Sequence, residues 1–274
     1  MDGSSLPRLL TGIGELPLAH LDTHLEVHGP LPTLRHLAPS ALVEAIDRSG
    51  LRGRGGASFP TAYKLRAVEA RRGAKVVVAN GAEGEPASKK DRMLLRELPH
   101  LVLDGVAVAA RAVGAEEAVV TFAEADQRSA RSLERAVRER SVERRGDDPR
   151  FHLFAVRDGF VSGQETALVS ALNGEAGKPT FGARPFEHGV HRRPTLVQNV
   201  ETLAHLALIA RHGAAWFRQL GTAQEPGSRL VTMAGAVEAP GVYEIEQGVS
   251  LAELLDLAGA EPDFRAVLLG GYFG

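Results

Sequence analysis

The middle of the chain alternates between short apolar runs and longer amphipathic stretches. Three almost continuous apolar runs predict buried strands: residues 75–79, 117–122 and 151–156. Three stretches with helical periodicity predict helices: residues 41–49, 98–113 and 125–143. Such an alternation of strand and helix predicts an α/β fold with a parallel sheet and right-handed crossovers.

Local signals refine the three helices. Ser40 is placed to cap the first helix and Gly50 to end it. In the second helix we expect four residues to face the core: Leu101, Val102, Val106 and Ala109. The Arg and Glu residues of the third helix are interpreted as a solvated face.

The two ends of the chain differ from the middle. Residues 1–39 show only broken periodicity, so we expect an irregular arm packed over the domain, with at most one short strand. Its histidines, at positions 20, 24, 28 and 36, lack metal-ligand spacing and are interpreted as surface or cap residues. From residue 228 onward the pattern predicts two paired strands, a helix and a third strand: residues 229–235, 241–245, 250–258 and 265–269.

Composition narrows the class of protein. The chain has 274 residues, 44% of them apolar, and a net charge of −2, which argues against a nucleic-acid-binding surface. No apolar run approaches the ~20 residues of a membrane span, so we expect no direct membrane insertion. The N-terminal sequence lacks a secretory pattern, and we interpret the protein as cytoplasmic. The absence of cysteine excludes thiolate zinc sites and cysteine-bound iron–sulfur clusters within this chain.

A glycine-rich loop lies between the first helix and the first strand. It contains four glycines with two arginines between them: Gly50, Gly53, Gly55, Gly56, Arg52 and Arg54. Such a loop lets an anionic ligand approach backbone N–H groups, and Pro60 is placed to start a helix directly after it. We expect a cradle for a phosphate or a ring, although a flexible connection between helices would show the same local chemistry. The spacing matches neither G-x-G-x-x-G nor a P-loop.

Polar residues follow the strands of the predicted sheet. Asn80, Glu83 and Glu85 come directly after the first strand, and a glycine-bracketed loop at 158–168 follows the third. Because ligands of open α/β sheets bind outside the carboxyl ends of the strands, we expect both loops at one ligand-binding edge. Two side-chain amides at 198 and 199 precede another helix, where they suit a ring carbonyl or phosphate but equally an ordinary helix cap.

Together these motifs resemble a known family. GLRGRGGASFPTAYK and NGAEGEPASKKDR are similar to G-L-R-G-R-G-G-A-G-F-P-T-G-x-K-W and N-x-D-E-G-E-P-G-x-x-K-D-R of the flavoprotein subunit of respiratory complex I. That family includes relatives in NAD-linked hydrogenases and formate dehydrogenases. DGFVSGQETAL resembles its G-A-Y-I-C-G-E-E-T-A-L, and TLVQNVETLA its T-T-V-N-N-V-E-T-L-A. The resemblance covers residues ~40 to 274.

The resemblance implies an FMN-binding α/β domain at 40–222 and a small β-grasp (SLBB-like) domain at 228–274. In the family, FMN lies across the carboxyl edge of the sheet and NADH stacks on its ring. Hydride passes to the flavin, and electrons leave singly to a four-cysteine iron–sulfur cluster in a later domain. Without cysteine, this chain would pass electrons to an iron–sulfur partner or a soluble acceptor. The chain stops at Gly274, where a β-grasp domain needs another strand, so we expect an incomplete domain from a fragment or a decayed gene.

The resemblance also implies residue roles. Glu85 and Glu165 would contact the nicotinamide side as the catalytic pair, and Phe59 and Phe186 would stack on the adenine. The nucleotides and the flavin would be held by a further set: Gly53, Arg54, Gly55, Gly56, Lys64, Asn80, Glu83, Phe160, Gln164, Gln198, Asn199 and Thr202. Because cysteine is absent and the histidines lack metal-ligand spacing, we expect no metal ligand in this chain.

Several positions depart from the family pattern. Ala82, Phe160, Gln164 and Gln198 replace Asp, Tyr, Glu and Asn, while Ser58 and Leu65 replace Gly and Trp. Gln164 removes a negative charge and should make a bound flavin easier to reduce. The leading hypothesis is an FMN-dependent NADH dehydrogenase module. The alternatives are a non-catalytic relative that serves as a binding or assembly subunit, and a different nucleotide ligand at the same edge.

Overall fold

The computed structural model describes residues 5–143, 146–182, 184–261 and 263–272. The helices are α1 Leu21–His28, α2 Pro39–Ser49, α3 Thr61–Glu69, α4 Lys90–Glu97, α5 Pro99–Val113, α6 Gln127–Val142, α7 Glu165–Leu172, α8 Pro185–His188, α9 Val200–His212, α10 Ala214–Phe217 and α11 Leu251–Leu257. The strands are β1 Lys75–Gly81, β2 Ala115–Ala123, β3 Arg150–Val156, β4 Thr195–Asn199, β5 Ser228–Met233 and β6 Gly241–Glu246. Short 3-10 turns occur at Leu34–His36 and Val190–Arg192.

A parallel sheet with strand order β3-β2-β1-β4 forms the main layer, which confirms the predicted α/β class. The three predicted strands are present. Strand β4 was not predicted, because its five residues mix apolar and amide side chains and its pairing with β1 is not visible in the local pattern. In that pairing Ala79 lies beside Gln198 and Asn80 beside Asn199, so the two asparagines end adjacent strands at the carboxyl edge.

Helix α5 is the centre of the core. The predicted inward residues are buried, and almost every other position of the helix is buried as well. The reason is that α5 is covered on several sides by other helices. A Cβ on Gly105 would lie 1.8 Å from the Leu203 carbonyl oxygen of α9, so the two helix backbones meet where only glycine fits. The first predicted cap is wrong: α2 begins at Pro39, although Gly50 ends it with φ of 71° as expected.

The N-terminal arm is more ordered than predicted. Among residues 5–39 the structure contains helix α1 and a 3-10 turn but no strand. His20 and His36 are exposed as expected, whereas the surface assignment of His24 and His28 is wrong. Both are buried because α1 packs them inward beside Leu21, and His24 Nε2 lies 2.8 Å from Asp104 Oδ2 of α5.

A buried ion-pair network explains this packing. Arg140, expected on the solvated face of α6, is 2% exposed and donates to Asp104 and Asp148. Arg211 of α9 also donates to Asp104. Burial opposes ionisation of Asp104, but Arg140, His24 and Arg211 hold the pKa of that carboxyl well below its usual range. The network joins the arm, α5, α6 and α9.

The C-terminal region is only partly as predicted. Strands β5 and β6 form the expected antiparallel pair, and α11 carries a capping box between Ser250 and Glu253. The strand expected at 265–269 is wrong. Residues 263–272 contain no strand, and Leu268 and Leu269 are exposed because no neighbouring strand pairs with them.

Candidate functional site

Polar loops meet at the carboxyl edge of the parallel sheet. Asn80, at the end of β1, donates from Nδ2 to the Gly163 carbonyl at 2.8 Å. Asn199, at the end of β4, caps α9 by accepting from the Glu201 N–H and donates to Asp91 Oδ2 at 2.7 Å. The loops after β1 and β3 therefore meet at one edge, as the sequence predicted.

The glycine-rich loop lies over the start of α9. Its backbone is fixed by the Arg54 N–H, which donates to Thr202 Oγ1 at 2.8 Å. Gly55 approaches Asn199 so closely that an added Cβ would lie 3.2 Å from the Asn199 Cβ. Gly55 and Gly56 themselves are exposed, and Gly56 has φ of 105°. The loop thus presents open backbone beside the positive end of a helix.

The two loops that follow β1 and β3 are packed backbone to backbone. A Cβ on Gly163 would lie 2.5 Å from the Ala82 carbonyl oxygen, and one on Gly84 would lie 2.7 Å from that of Phe160. Ala82, which replaces the family aspartate, is buried at this contact. These glycines hold the loops together and keep Asn80 and Gln164 at the same edge.

Lys64 is paired with Glu165, one of the two predicted catalytic carboxylates. Its ammonium is half-buried and donates to Glu165 Oε2 at 3.0 Å and to the Val197 carbonyl at 3.2 Å. Glu165 begins α7, so the ion pair links α3, β4 and α7. A cation in this position suits an anionic ligand lying across the strand ends.

The two other predicted glutamates are already bonded. Glu83 is 6% exposed at its side chain and accepts from the N–H groups of Asp91 and Arg92, so it caps the start of α4. It therefore shapes the loop between β1 and α4, and its contact with a nucleotide stays a prediction. Glu85 is half-buried and accepts from the N–H groups of Ala87 and Tyr272.

The loop before α7 presents one cap and one exposed ring. Gln164 accepts from the Ala167 N–H at 2.8 Å and thereby caps α7. Phe160 is 65% exposed on the loop that packs against Gly84. Both residues lie at the carboxyl edge as predicted.

Two predicted ligand contacts are turned away from the open edge. The Arg54 guanidinium is buried against the carbonyls of Pro226 and Ser228. The hydroxyl of Thr202 is fully buried and holds the Arg54 N–H. The Arg54 guanidinium and the Thr202 hydroxyl therefore fix the glycine-rich loop, and their contacts with a nucleotide stay a prediction.

Aromatic residues are distributed differently from the prediction. Phe59 is 42% exposed and packs edge-on against Tyr63 at 5.4 Å. Phe186 is not brought to this edge: its ring packs on the core under Arg71, in a helix that adjoins the start of β4. Phe181 was missed. It is fully exposed, one residue after Thr180, whose N–H donates to Thr166 Oγ1 beside the Gln164 cap.

A buried ionic cluster was also missed. Lys90 donates to Asp91 at 2.7 Å and lies 2.9 Å from Glu201 Oε2. Burial raises the pKa of Asp91 to about 6, and it opposes the charge of Lys90, but the carboxylates of Asp91 and Glu201 outweigh it and raise the pKa of Lys90. All three residues stand inside the quoted motifs, yet their pairing becomes visible only in the fold.

The residues present fit a flavin nucleotide. Exposed backbone of Gly55 and Gly56, the start of α9 and the Lys64 ammonium offer donors to a phosphate. Within the described ranges, the buried Nε2 of Gln198 lacks a hydrogen-bond partner and provides a further donor. The described part of the chain contains no group of three or more acidic or histidine side chains suited to a metal ion. It also contains no helix of the length and apolarity that a membrane crossing requires.

Comparison with known proteins identifies the family. The family model of the Nuo51 FMN-binding domain matches residues 46–208, and the family model of the SLBB domain matches residues 230–268. The chain belongs to the Nuo51 FMN-binding family. This membership explains the parallel sheet followed by a small antiparallel pair.

Relatives of this Nuo51 chain are subunits of larger enzymes. It is 34% identical to an NADH-quinone oxidoreductase subunit of Rhizobium meliloti over 97% of this chain and 67% of that protein. It is 37% identical to the alpha chain of the NAD-reducing hydrogenase HoxS of Cupriavidus necator, over 87% of this chain and 41% of that one. It resembles the crystal structure of an NAD+-reducing NiFe-hydrogenase in the H2-reduced state with a TM-score of 0.81 and 34% identity, covering 94% of this chain and 44% of the other. The chain thus spans about two fifths to two thirds of these relatives.

Proposed function

We propose that this chain is an FMN-dependent NADH dehydrogenase module. The observation that carries the proposal is the meeting of exposed Gly55 and Gly56, Lys64, Asn80 and Asn199 at the carboxyl edge of the sheet. These are the donor types that a phosphate and a polar ring require. Membership in the Nuo51 family supports FMN as the ligand.

The chain's own groups divide into those that bind and those that position. We propose that the backbone of Gly55 and Gly56 and the start of α9 bind the flavin phosphate, with Gln198 as a further donor. Lys64 would reach the phosphate or the edge of the ring, and Asn80 would orient the ring. Bound FMN supplies the hydride-accepting chemistry and passes electrons onward singly. The residues of this chain supply position and electrostatics.

The dinucleotide would lie on the more open side of the same edge. Glu85 and Glu165 are proposed to face the nicotinamide, where they can accept hydrogen bonds from its amide. Phe59 and Phe181 present exposed rings on which an adenine can stack. Phe181 takes the place in this proposal that the sequence had given to Phe186.

The electron acceptor is proposed to lie outside this chain. Since the chain has no cysteine, it cannot ligate an iron–sulfur cluster through thiolates. We therefore propose an iron–sulfur protein or subunit as partner, in keeping with relatives that are named as subunits of NADH-quinone oxidoreductase and NAD-reducing hydrogenase. A quinone-type final acceptor and a cytoplasmic location, where NADH is abundant, are parts of this proposal. So are the domain limits of 40–222 and 228–274, after an arm at 1–39.

Visible absorbance tests the proposal. The purified chain is titrated with FMN and then with NADH under anaerobic conditions. We expect FMN to bind the protein and show a flavin absorbance spectrum. NADH should then bleach that absorbance. A folded chain that ignores FMN would overturn the proposal.

A non-catalytic relative is the second candidate. Ala82, buried where the family has an aspartate, favours it because a side-chain acceptor is missing at the loop contact. Flavin that is bound but not bleached by NADH would support this candidate.

A further inference from the structure

The side chain of Arg54 connects the glycine-rich loop to the C-terminal hairpin. Its Nη2 donates to the carbonyls of Ser228 at 3.0 Å and Pro226 at 3.4 Å. The side-chain amide of Gln247, oriented with its oxygen toward the guanidinium, accepts from Nη1 at 2.6 Å. Arg54 is 5% exposed, and its buried side chain links the glycine-rich loop to the β5–β6 hairpin.

Two further contacts join the same strand to other segments of the candidate site. The Leu230 N–H of β5 donates to Glu201 Oε1 at 2.8 Å, in the first turn of α9. Thr232 Oγ1 accepts from the Lys89 N–H at 3.0 Å, directly before α4. Strand β5 therefore contacts the glycine-rich loop, the loop after β1 and the start of α9.

We propose that strand β5 positions the nucleotide-binding loops, and that Arg54 is the positioning residue that links it to the glycine-rich loop. This inference rests on the function proposed above. It assigns a role in flavin binding to the β5–β6 hairpin, none of whose residues is proposed above as a flavin ligand.

The physical reason is that Arg54 is held at both ends. Its backbone N–H is bonded to Thr202 of α9, and its side chain is bonded to the hairpin. Gly55 and Gly56 follow immediately, and glycines lose more conformational freedom on ordering than other residues. Without the guanidinium, the loop would lose its hydrogen bonds to the hairpin and keep only the Thr202 bond at Arg54, and two buried carbonyls would lose a donor.

The test compares Arg54→Met and Arg54→Lys with the wild-type chain. FMN affinity is measured by quenching of flavin fluorescence, and backbone mobility by amide hydrogen exchange. We expect Arg54→Met to weaken FMN binding by about tenfold, the effect of losing roughly one charged hydrogen bond. Exchange should become faster at 50–58 and 228–247 together, and Arg54→Lys should restore part of both effects.

Arg111→Met is the matched control. Arg111 also donates from a guanidinium to carbonyls of a distant segment, those of Leu34, Arg35 and Leu37, but away from the candidate site. We expect faster exchange at 34–37 and unchanged FMN affinity. If Arg54→Met fails to fold, Thr232→Val is a milder change on β5, because it removes only the hydrogen bond from Lys89. It should also lower the affinity for FMN.

Three outcomes decide the inference. Weaker FMN binding with unchanged exchange in the hairpin would make Arg54 a direct ligand contact and overturn it. Faster exchange in the hairpin with unchanged FMN affinity would show that the Arg54 contacts serve only folding, and would also overturn the inference. If the wild-type chain takes up no FMN, the proposed function fails. Amide exchange in Arg54→Met still tests the contact: faster exchange at both 50–58 and 228–247 would show that β5 holds the loop, and faster exchange at only one of them would show that it does not.

Discussion

The ammonium of Lys64 lies 3.0 Å from a carboxylate oxygen of Glu165, across a separation of 101 residues in the chain. The pair brings together the helix after the glycine-rich loop and the helix after β3. Both side chains are about one third exposed, so the pair is partly screened and remains accessible to a ligand. Each of the two charged groups therefore fixes the position of the other in the candidate site.

Replacing Lys64 by Met should weaken FMN binding by about tenfold. A charged hydrogen bond contributes roughly 1.5–3 kcal/mol, and tenfold in affinity corresponds to about 1.4 kcal/mol. Fluorescence titration with FMN measures the change. Lys75→Met is the control, because Lys75 begins β1 at the opposite end of the strand and donates to the Glu69 carbonyl. An equal loss in both variants would contradict a role for Lys64 at the site.

Phe181→Ala should weaken NADH binding without lowering the thermal unfolding temperature. Its ring is fully exposed, and stacking of a base on an aromatic ring contributes ~1–3 kcal/mol. Phe186→Ala should lower the thermal unfolding temperature and leave NADH binding unchanged, since that ring packs on the core. Kd for NADH and the unfolding temperature are measured for both variants. Loss of NADH affinity confined to Phe186→Ala would restore the sequence assignment.

Ser58→Gly should stabilise the chain by about 1 kcal/mol. Ser58 stands where the family has glycine, and it adopts φ of 49°, a left-handed conformation that disfavours a side chain. Urea unfolding measures the gain. Ala57→Gly, one residue earlier and without a positive φ, should destabilise the chain slightly instead. Loss of stability in both variants would show that Ser58 is not strained.

The sequence was most informative where a property is local or where a long motif is present. Three strands, the cap at Gly50 and the meeting of the Asn80 and Gln164 loops followed from pattern and topology. The structure departed from the prediction where burial depends on distant partners. His24 and Arg140 look like surface residues until Asp104 on α5 brings them together.

The same reason separates motif from role within the candidate site. Glu83, Arg54 and Thr202 stand in family motifs, yet their side chains hold loops rather than face the open edge. Phe181 and Phe186 lie five positions apart and are both aromatic. Only the packing of α8 beside the start of β4 shows that Phe186 is the one that lies against the core.

His28 should make the chain less stable in mild acid. Burial, followed by the charges of His24 and Arg211, lowers the pKa of His28 from 6.5 to about 3. Between those pH values the unfolded chain binds the extra proton, so the free energy of unfolding falls as the pH falls, by up to about 1.4 kcal/mol per pH unit.

His28→Leu isolates this contribution. Urea unfolding is measured for both chains from pH 4.5 to 8. Above about pH 7.5 the difference between them should be constant, because the histidine is neutral in both states. Below pH 6 the variant should lose less stability than the wild-type chain. Parallel profiles over the whole range would show that His28 has the same pKa in the folded and unfolded states, which would contradict the lowered pKa.

Gln164→Glu should make bound FMN harder to reduce. The family has glutamate at this position, and a carboxylate near the flavin opposes the addition of electrons. Its midpoint potential should fall by on the order of 10–20 mV, which corresponds to roughly 0.5–1 kcal/mol for two electrons. The same change should stabilise α7, because a negative charge at a helix start is favourable.

Ser40→Glu separates the two effects. Ser40 lies in the first turn of α2, and the opposite end of that helix leads into the glycine-rich loop, so the replacement adds a negative charge to a helix start away from the candidate site. It should raise stability and leave the flavin potential unchanged. A potential shift in Gln164→Glu but not in Ser40→Glu would support a place for Gln164 beside the flavin. Equal potentials in both variants and the wild-type chain would restrict Gln164 to capping α7, since a charge that does not act on the flavin cannot lie close to it.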